Sequence, residues 1–364
     1  MAVELVILED SSQAIFGGGQ RITLEMINCI QTECSFVLID TCDSPWHKKI
    51  IGEDASVISL HLGKYFTNPI LFNFFFFFLS TWKVICLKPT YLYITTRKNL
   101  IPALFIKCIR PNTTIIYHYH LLTGDSWFWS LYDTLVAGIS THLIFTSQYT
   151  LSIYKEKRWR LIKYIENRCL IAPIPPSKWA DSHFTNLKIP INPIVIGFVG
   201  KITEKKGVLL FIEALKKLPL ELNWQGIIAG SGPLSDVIKE ECSKKYWNGR
   251  IQYLGPIETN ADFYATLSIL TIPTFTDTES LGLSALEGIQ AGIPTLVADK
   301  GNLHFFILDG LAYPLTKPNP TYIAKEIYKL YEMLKKSQKR EPHKSIKNDR
   351  ENYKKFFLQI FKKG

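Results

Sequence analysis

The stretch Thr278-Glu-Ser-Leu-Gly-Leu-Ser-Ala-Leu-Glu287, continued by Gly288-Ile-Gln-Ala-Gly-Ile-Pro294, sets two carboxylates eight residues apart across the start of a helix. Ser280 is placed to cap that helix. Leu283, Leu286 and Ile289 supply one apolar face, and Gly292 with Pro294 ends it. Peptide N–H groups over residues 281 to 284, those of Gly282 and Leu283 among them, would then face an anion, because a helix start presents partial positive charge and free donors. The flanking carboxylates, Glu279 and Glu287, accept hydrogen bonds from hydroxyls. A phosphate joined to a sugar suits that combination. An ordinary capped helix with one acid in its first turns shows the same local pattern.

Outward from this segment, apolar runs of strand type alternate with helical ones. After residue 194 the order is strand 194–199, helix 207–217, strand 224–229, helix 234–244, strand 251–253, helix 260–265, strand 269–272, the two-carboxylate helix, and strand 295–297. Before it, strands are expected at 3–8, 36–40, 91–95, 114–119 and 142–146, with helices at 20–29, 99–108 and 126–137. Such alternation predicts α/β architecture with parallel, doubly wound sheets, which take ligands at the carboxyl ends of their strands. At 364 residues and 47% hydrophobic content the chain can fill two cores. The expected division is residues 1–175, a Pro-rich linker at 176–193, a second domain at 194–340, and a basic tail at 341–364.

Charge and cysteines narrow the class. Of a net charge of +10, most lies at one end, where residues 325 to 364 hold 13 Lys and Arg against 5 Asp and Glu. That concentration, with no nucleic-acid motif, argues against a nucleic-acid-binding protein. Seven cysteines form no Cys-x-x-Cys pair and no His partnership at metal spacing, which fits a reducing compartment. The first ten residues carry an acid within the apolar run and no basic start, so they read as a strand and not as a signal peptide. The run from Ile70 to Leu79, with five consecutive Phe, is too short to span a bilayer and is expected as a buried helix; the alternative is a helix lying in a membrane interface. Tyr353, Phe356, Phe357, Ile360 and Phe361 form a helical aromatic stripe, destined either for the first domain or for an anionic membrane surface.

Three further groups carry candidate chemistry. Lys201 and Lys206 occupy the loop between a strand and a helix opened by Gly207, where two cations can hold a diphosphate. Gly17-Gly18-Gly19 follows the first strand, and glycine there lets a ligand approach the backbone at Gly18. His118 and His120 close a strand and share one face by its period of two, so the pattern does not choose between them; His120 stands nearer the loop. Each has a bland counterpart: solvated lysines, a flexible turn, a structural histidine.

Taken in order, Ile196-Gly-Phe-Val-Gly-Lys201, Lys206-Gly207, Ile227-Ile-Ala-Gly-Ser-Gly-Pro233, Ile251-Gln-Tyr-Leu-Gly255, the segment from Glu279 to Pro294 and Gly310-Leu-Ala-Tyr-Pro314 resemble the carboxyl-terminal domain of retaining glycosyltransferases of the Glu-x7-Glu family, family 4 or group 1. The resemblance covers about a third of the chain well. It implies two Rossmann-like domains facing across a cleft, the GT-B architecture. The implied activity is transfer of a sugar, with retention, from a nucleotide-sugar to a hydroxyl of a glycan or lipid-linked acceptor, in polysaccharide or glycoconjugate synthesis. Glu287 would accept ribose hydroxyls, Glu279 would contact the transferred sugar, and Lys201 and Lys206 would hold the diphosphate. A histidine of the pair at 118 and 120 would meet the sugar, and the Gly18 loop would lie beside the donor phosphates or the acceptor. Lys201 stands where the family commonly has Arg, and Gln20 where it often has an acid. No Asp-x-Asp motif is present, so no metal cofactor is expected. The implied setting is the cytoplasm, peripheral at the inner membrane face. The alternatives are a nucleotide-sugar epimerase of the same architecture and a catalytically silent scaffold that binds sugar or membrane. The latter is kept open by Pro173-Ile-Pro-Pro176, where relatives often have an Asn-Gly turn.

Overall fold

The computed structural model describes residues 4–10, 17–41, 47, 50, 56–65, 68–120, 124–175, 187–219, 221–257, 261–277, 279–337 and 350–361. The chain divides into two compact units, Met1–Pro176 with Asp349–Gly364, and Ser177–Asn348. The linker expected at 176–193 lies outside the described residues up to 186, as do the tail from 338 to 349 and Lys362 and Lys363.

In the first unit the elements run β1 (Leu5–Leu8), α1 (Gly18–Ile30), β2 (Phe36–Asp40), β3 (Ser56–Ser59), α2 (Leu62–Tyr65), α3 (Pro69–Leu87), β4 (Tyr91–Ile94), α4 (Leu100–Ile109), β5 (Thr114–Tyr119), α5 (Trp127–Ile139), β6 (His142–Phe145), α6 (Gln148–Lys157), α7 (Trp159–Ile165) and β7 (Cys169–Ile171). The seven strands form one parallel sheet in the order β3-β2-β1-β4-β5-β6-β7. Leu5 pairs with Phe36 on one side and Tyr91 on the other, so strand order reverses between β1 and β4. Parallel strands covered on both faces must be apolar throughout, and β1, β2 and β4 are buried at every position.

The second unit follows as β8 (Ile194–Val199), α8 (Val208–Leu215), β9 (Trp224–Ala229), α9 (Ser235–Cys242), β10 (Ile251–Gly255), α10 (Ala261–Thr266), β11 (Ile269–Ile272), α11 (Leu283–Gln290), β12 (Thr295–Ala298), α12 (Leu303–Leu308), β13 (Tyr313–Leu315) and α13 (Pro320–Lys336). Its six-stranded parallel sheet has the order β10-β9-β8-β11-β12-β13, reversing between β8 and β11. The chain then closes with α14 (Arg350–Phe361), which belongs to the first unit. Its Tyr353, Phe357, Ile360 and Phe361 join α1 and the β1 side chains Leu5 and Ile7 in one core, so the aromatic stripe is buried in protein. Helices α3, α4 and α5 cover the opposite face of that sheet.

Two expectations require correction. The Phe run does not make a short buried helix. Asn68 accepts the N–H of Ile70 at 2.8 Å, Pro69 takes the first turn, and the helix runs 19 residues to a left-handed Lys88. Ser80, the polar residue after the apolar run, does not end the helix, because its hydroxyl donates to the carbonyl of Phe76 at 2.6 Å. Only 22% of the window from Ile70 to Leu87 is buried, and this one helix among the described residues has the length and apolarity to cross a membrane. The second correction concerns Ser280, which does not cap α11. Gly282 holds that position with φ of 76°, and no side chain caps the helix. Strands β3, β7 and β13 and helices α2, α6, α7, α12 and α13 were not anticipated.

Candidate functional site

In each unit the candidate side chains gather at the carboxyl ends of the strands, where the strand order reverses, the position at which open α/β sheets take ligands. In the second unit the loop after β8 carries Lys201, exposed and without an ion pair among the described residues, and a short turn from Glu204 to Lys206 that ends at Gly207. Gly207 has φ of 76°, and a Cβ there would sit 2.0 Å from the carbonyl oxygen of Pro273, in the loop after β11. Glycine is what lets these two loops touch. Their contact delivers Lys206 to Glu279, whose Oε1 accepts the ammonium proton, while Thr274 donates to the same oxygen at 3.4 Å.

The Glu279 loop is pinned from behind. Asn302 donates its backbone N–H to the Glu279 carbonyl at 3.0 Å and its side-chain amide to the Leu281 carbonyl at 2.8 Å. The chain then turns through left-handed Gly282 into α11, whose first internal bond runs from Leu286 to Gly282, so the N–H groups of Leu283, Ser284 and Ala285 precede the ladder. Glu287, one turn further, is 4% exposed and accepts from the Tyr264 hydroxyl at 2.5 Å. It stands beside Leu286 and Ile289 in the core, so the carboxylate expected to meet ribose hydroxyls is held among apolar side chains. Thr274, Tyr264 and Asn302 were missed, since each reaches its carboxylate or loop across tertiary contacts that no local spacing reports.

In the first unit a buried polar cluster lies where β1, β4 and β5 end. Glu9 accepts from Thr23 at 2.6 Å and from Thr95 at 2.9 Å. Burial pushes its carboxyl up to about 7, against the pull of both hydroxyls. His118 is sealed at 0% exposure and Tyr93 lies 2.5 Å from its Nδ1. Burial raises the Tyr93 phenol well above its ordinary range, so Tyr93 keeps and donates its proton; neutral His118 accepts at Nδ1 and carries its own proton at Nε2. The rings of His118 and His120 meet edge to face at 4.4 Å. His120 is the more exposed of the two, and burial brings it down to about 4. A Cβ on Gly19 would lie 2.9 Å from His120 Nδ1, so the missing side chain at the start of α1 is filled by the imidazole. Gly18 beside it is exposed. Glu9, Thr23, Thr95 and Tyr93 were not singled out; an acid closing an otherwise apolar strand was the available signal for Glu9. Among the described residues no three His, Cys, Asp or Glu side chains converge as metal ligands.

Residues 180–350 match the family model of glycosyl transferases group 1. An uncharacterized glycosyltransferase of Methanocaldococcus jannaschii is 32% identical over 111 residues, covering 30% of this chain and 28% of the relative. A lipopolysaccharide core biosynthesis mannosyltransferase of Rhizobium meliloti is 28% identical over 121 residues, covering 32% of this chain and 34% of the relative. The chain thus spans about a third of the length of these curated relatives. HepE of Anabaena, solved in complex with UDP and glucose, superposes with a TM-score of 0.77 at 14% identity, covering 99% of each chain. That likeness shows the fold, the two Rossmann-like units of GT-B architecture. The family model and both relatives are of glycosyltransferases, and the matches fall on part of the chain.

Proposed function

We propose that the protein is a retaining glycosyltransferase of family 4 that moves a sugar from a nucleoside-diphosphate donor to a hydroxyl of a glycan or lipid-linked acceptor. The observation that carries this reading is the junction of Lys206, Glu279 and the start of α11, which brings a cation, a hydroxyl-accepting carboxylate and a helix N-terminus to one point. A diphosphate entering it competes with Glu279 for the Lys206 ammonium. The freed carboxylate then accepts hydroxyls of the transferred sugar. Lys201 and the peptide groups of Gly282 and Leu283 complete the phosphate contacts, and Glu287, oriented by Tyr264, receives the ribose hydroxyls.

Catalysis on this arrangement is electrostatic. Charge grows on the departing diphosphate as the glycosidic bond breaks, and Lys206, Lys201 and the N–H groups stabilise it. The donor phosphate takes the acceptor proton on the same face, which retains configuration without a protein nucleophile. In the first unit His120, the less buried of its pair, is assigned to the sugar or the acceptor, and Gly18 to close backbone approach. The fixed cations supply the charge a metal would otherwise provide, so chelators should leave turnover unchanged. Polysaccharide or glycoconjugate synthesis at the cytoplasmic side of a membrane is the proposed setting. HepE, described as bound to UDP, makes uridine diphosphate the first ligand to try.

Thermal melting of the full chain against uridine, guanosine and adenosine diphosphates tests the site. One of the three should raise the melting temperature in wild type and fail to do so in Lys206→Ala. No response to any diphosphate sinks the proposal, and product analysis without acceptor separates transfer from epimerisation.

A further inference from the structure

The outer face of α3, α4 and α5 is apolar where a soluble surface should be polar. Along α3, Ile70, Phe74, Phe78 and Trp82 recur at every fourth position and are exposed, each of the last three by close to 60%. The same helix buries Phe76, Ser80 and Val84 on its other side, so its orientation is set by the fold. These three aromatics alone expose roughly 300–400 Å², already near the largest apolar patch of a typical monomer. The patch continues. Phe77 meets Phe105 of α4 edge to face at 5.2 Å, and α4 exposes Ile101, Phe105 and Ile109. Packed beside α4, α5 exposes Trp127, Leu131 and Leu135.

Charge identifies what covers this face. From Ala55 to Gly124 the chain contains no Asp or Glu, while Lys64, Lys83, Lys88, Arg97, Lys98, Lys107 and Arg110 fall within it. Lys98 is engaged by Asp10 and Arg97 lies over the Trp129 ring. Lys83 and Lys88 are exposed and make no ion pair among the described residues. Asp125, just before α5, is the exposed acid beside this face and is paired with Lys157 at 2.8 Å. An apolar face whose α3 and α4 carry cations and no acid fits anionic headgroups above acyl chains. Tryptophans at 82 and 127 add the side chain that favours that boundary.

We propose that the α3–α4–α5 face docks in the plane of an anionic membrane, with the α3 aromatics entering the headgroup boundary and Lys83 and Lys88 against lipid phosphates. Spanning is excluded by the fold, because α3 is the crossover between β3 and β4 and seats Ser80, Thr81 and Val84 inside the unit. This names the surface used by the peripheral enzyme proposed above. It is read without donor or acceptor, so its failure and that of sugar transfer are separable.

Flotation of the full chain with vesicles of phosphatidylglycerol and phosphatidylcholine in equal parts, against pure phosphatidylcholine, is the test. Wild type should float with the mixed vesicles only, and Phe74→Asp/Phe78→Asp should lose at least about tenfold in binding with melting unchanged. Quenching of tryptophan fluorescence by brominated lipid guards against a variant that fails to fold, since Trp82→Phe is conservative and should remove part of the quenching. Wild type that stays with the pellet in both mixtures, or a folded double variant that floats as well as wild type, overturns the proposal. So does wild type that ignores vesicles but self-associates through Phe74 and Phe78.

Discussion

Glu279 accepts the ammonium of Lys206, although the two residues enter from different loops, one after β8 and one after β11. The pair is only partly buried, and either side chain can exchange its partner for a ligand group. Lys206→Ala should therefore lower kcat/KM by about 2–4 kcal/mol, roughly 30- to 1000-fold, with little change in melting. Glu287→Gln should lose as much, but because Glu287 is buried against Tyr264 its melting must be measured alongside. Tyr264→Phe separates the two effects: a role in orienting Glu287 raises KM for the donor more than it lowers kcat. Turnover of Lys206→Ala equal to wild type would remove the lysine from the site.

Gly207 is required by geometry. Replacing it with Ala combines a left-handed φ with a Cβ driven to 2.0 Å from the Pro273 carbonyl, and the second unit should lose about 3 kcal/mol or more. Gly249 is the matched control, with φ of 72° and nothing within 4 Å of its Cβ position. There Ala should cost only about 1 kcal/mol of backbone strain. Equal losses at both positions, by chemical denaturation, would show that the contact between the β8 and β11 loops is not tight.

Much of this fold was legible because buried parallel strands need unbroken β-branched and aliphatic runs. The bounds read for 36–40, 114–119, 194–199, 224–229 and 269–272 coincide with β2, β5, β8, β9 and β11. Ser56-Val-Ile-Ser59 was too short and too polar at its ends to stand out. The reach of α3 was hidden because Ser80 and Thr81 look like breakers until the hydroxyl of Ser80 finds the carbonyl of Phe76. At the site, Glu279, Glu287, Lys201 and Lys206 could be nominated from motif and order. Their partners could not, since Tyr264 and Glu287 are 23 residues apart and meet only when α10 and α11 are laid on the same sheet.

Stability of the first unit should depend on pH from both sides. Glu9 is raised from 4.5 to about 7, so its contribution is present below pH 4.5 and is lost as pH rises through 7. Its isostere Glu9→Gln should match wild type in acid and exceed it by on the order of 3 kcal/mol above neutrality. His120 is lowered from 6.5 to about 4, and its contribution runs the other way, present above pH 6.5 and lost as pH falls toward 4. His118, also lowered by burial, adds to the same acid limb. Denaturation curves of His120→Gln should accordingly show a shallower acid limb. A Glu9→Gln gain that does not vary with pH would mean that Glu9 is ionised in the folded protein.

Helix α14 supplies the first unit with Tyr353, Phe357, Ile360 and Phe361, all nearly inaccessible. Phe361 meets Tyr91 of β4 edge to face at 5.7 Å, and Phe357 lies 6.4 Å from the His118 ring, so the helix roofs the polar cluster as well as the sheet. Arg350 donates to the Asn28 carbonyl at 3.0 Å and Lys354 pairs with Glu33 at 2.7 Å, fixing the helix along α1. Burying four such side chains is worth about 1.5–3 kcal/mol each, a sum comparable with the whole stability of a domain. Deleting residues 351 to 364 should therefore unfold the first unit rather than merely lower its melting point, while the second unit keeps its own cooperative transition. Calorimetry should show one transition where the intact chain shows two or a merged pair, and a truncated chain whose first unit melts as wild type would mean that α14 contributes no net apolar burial to that core.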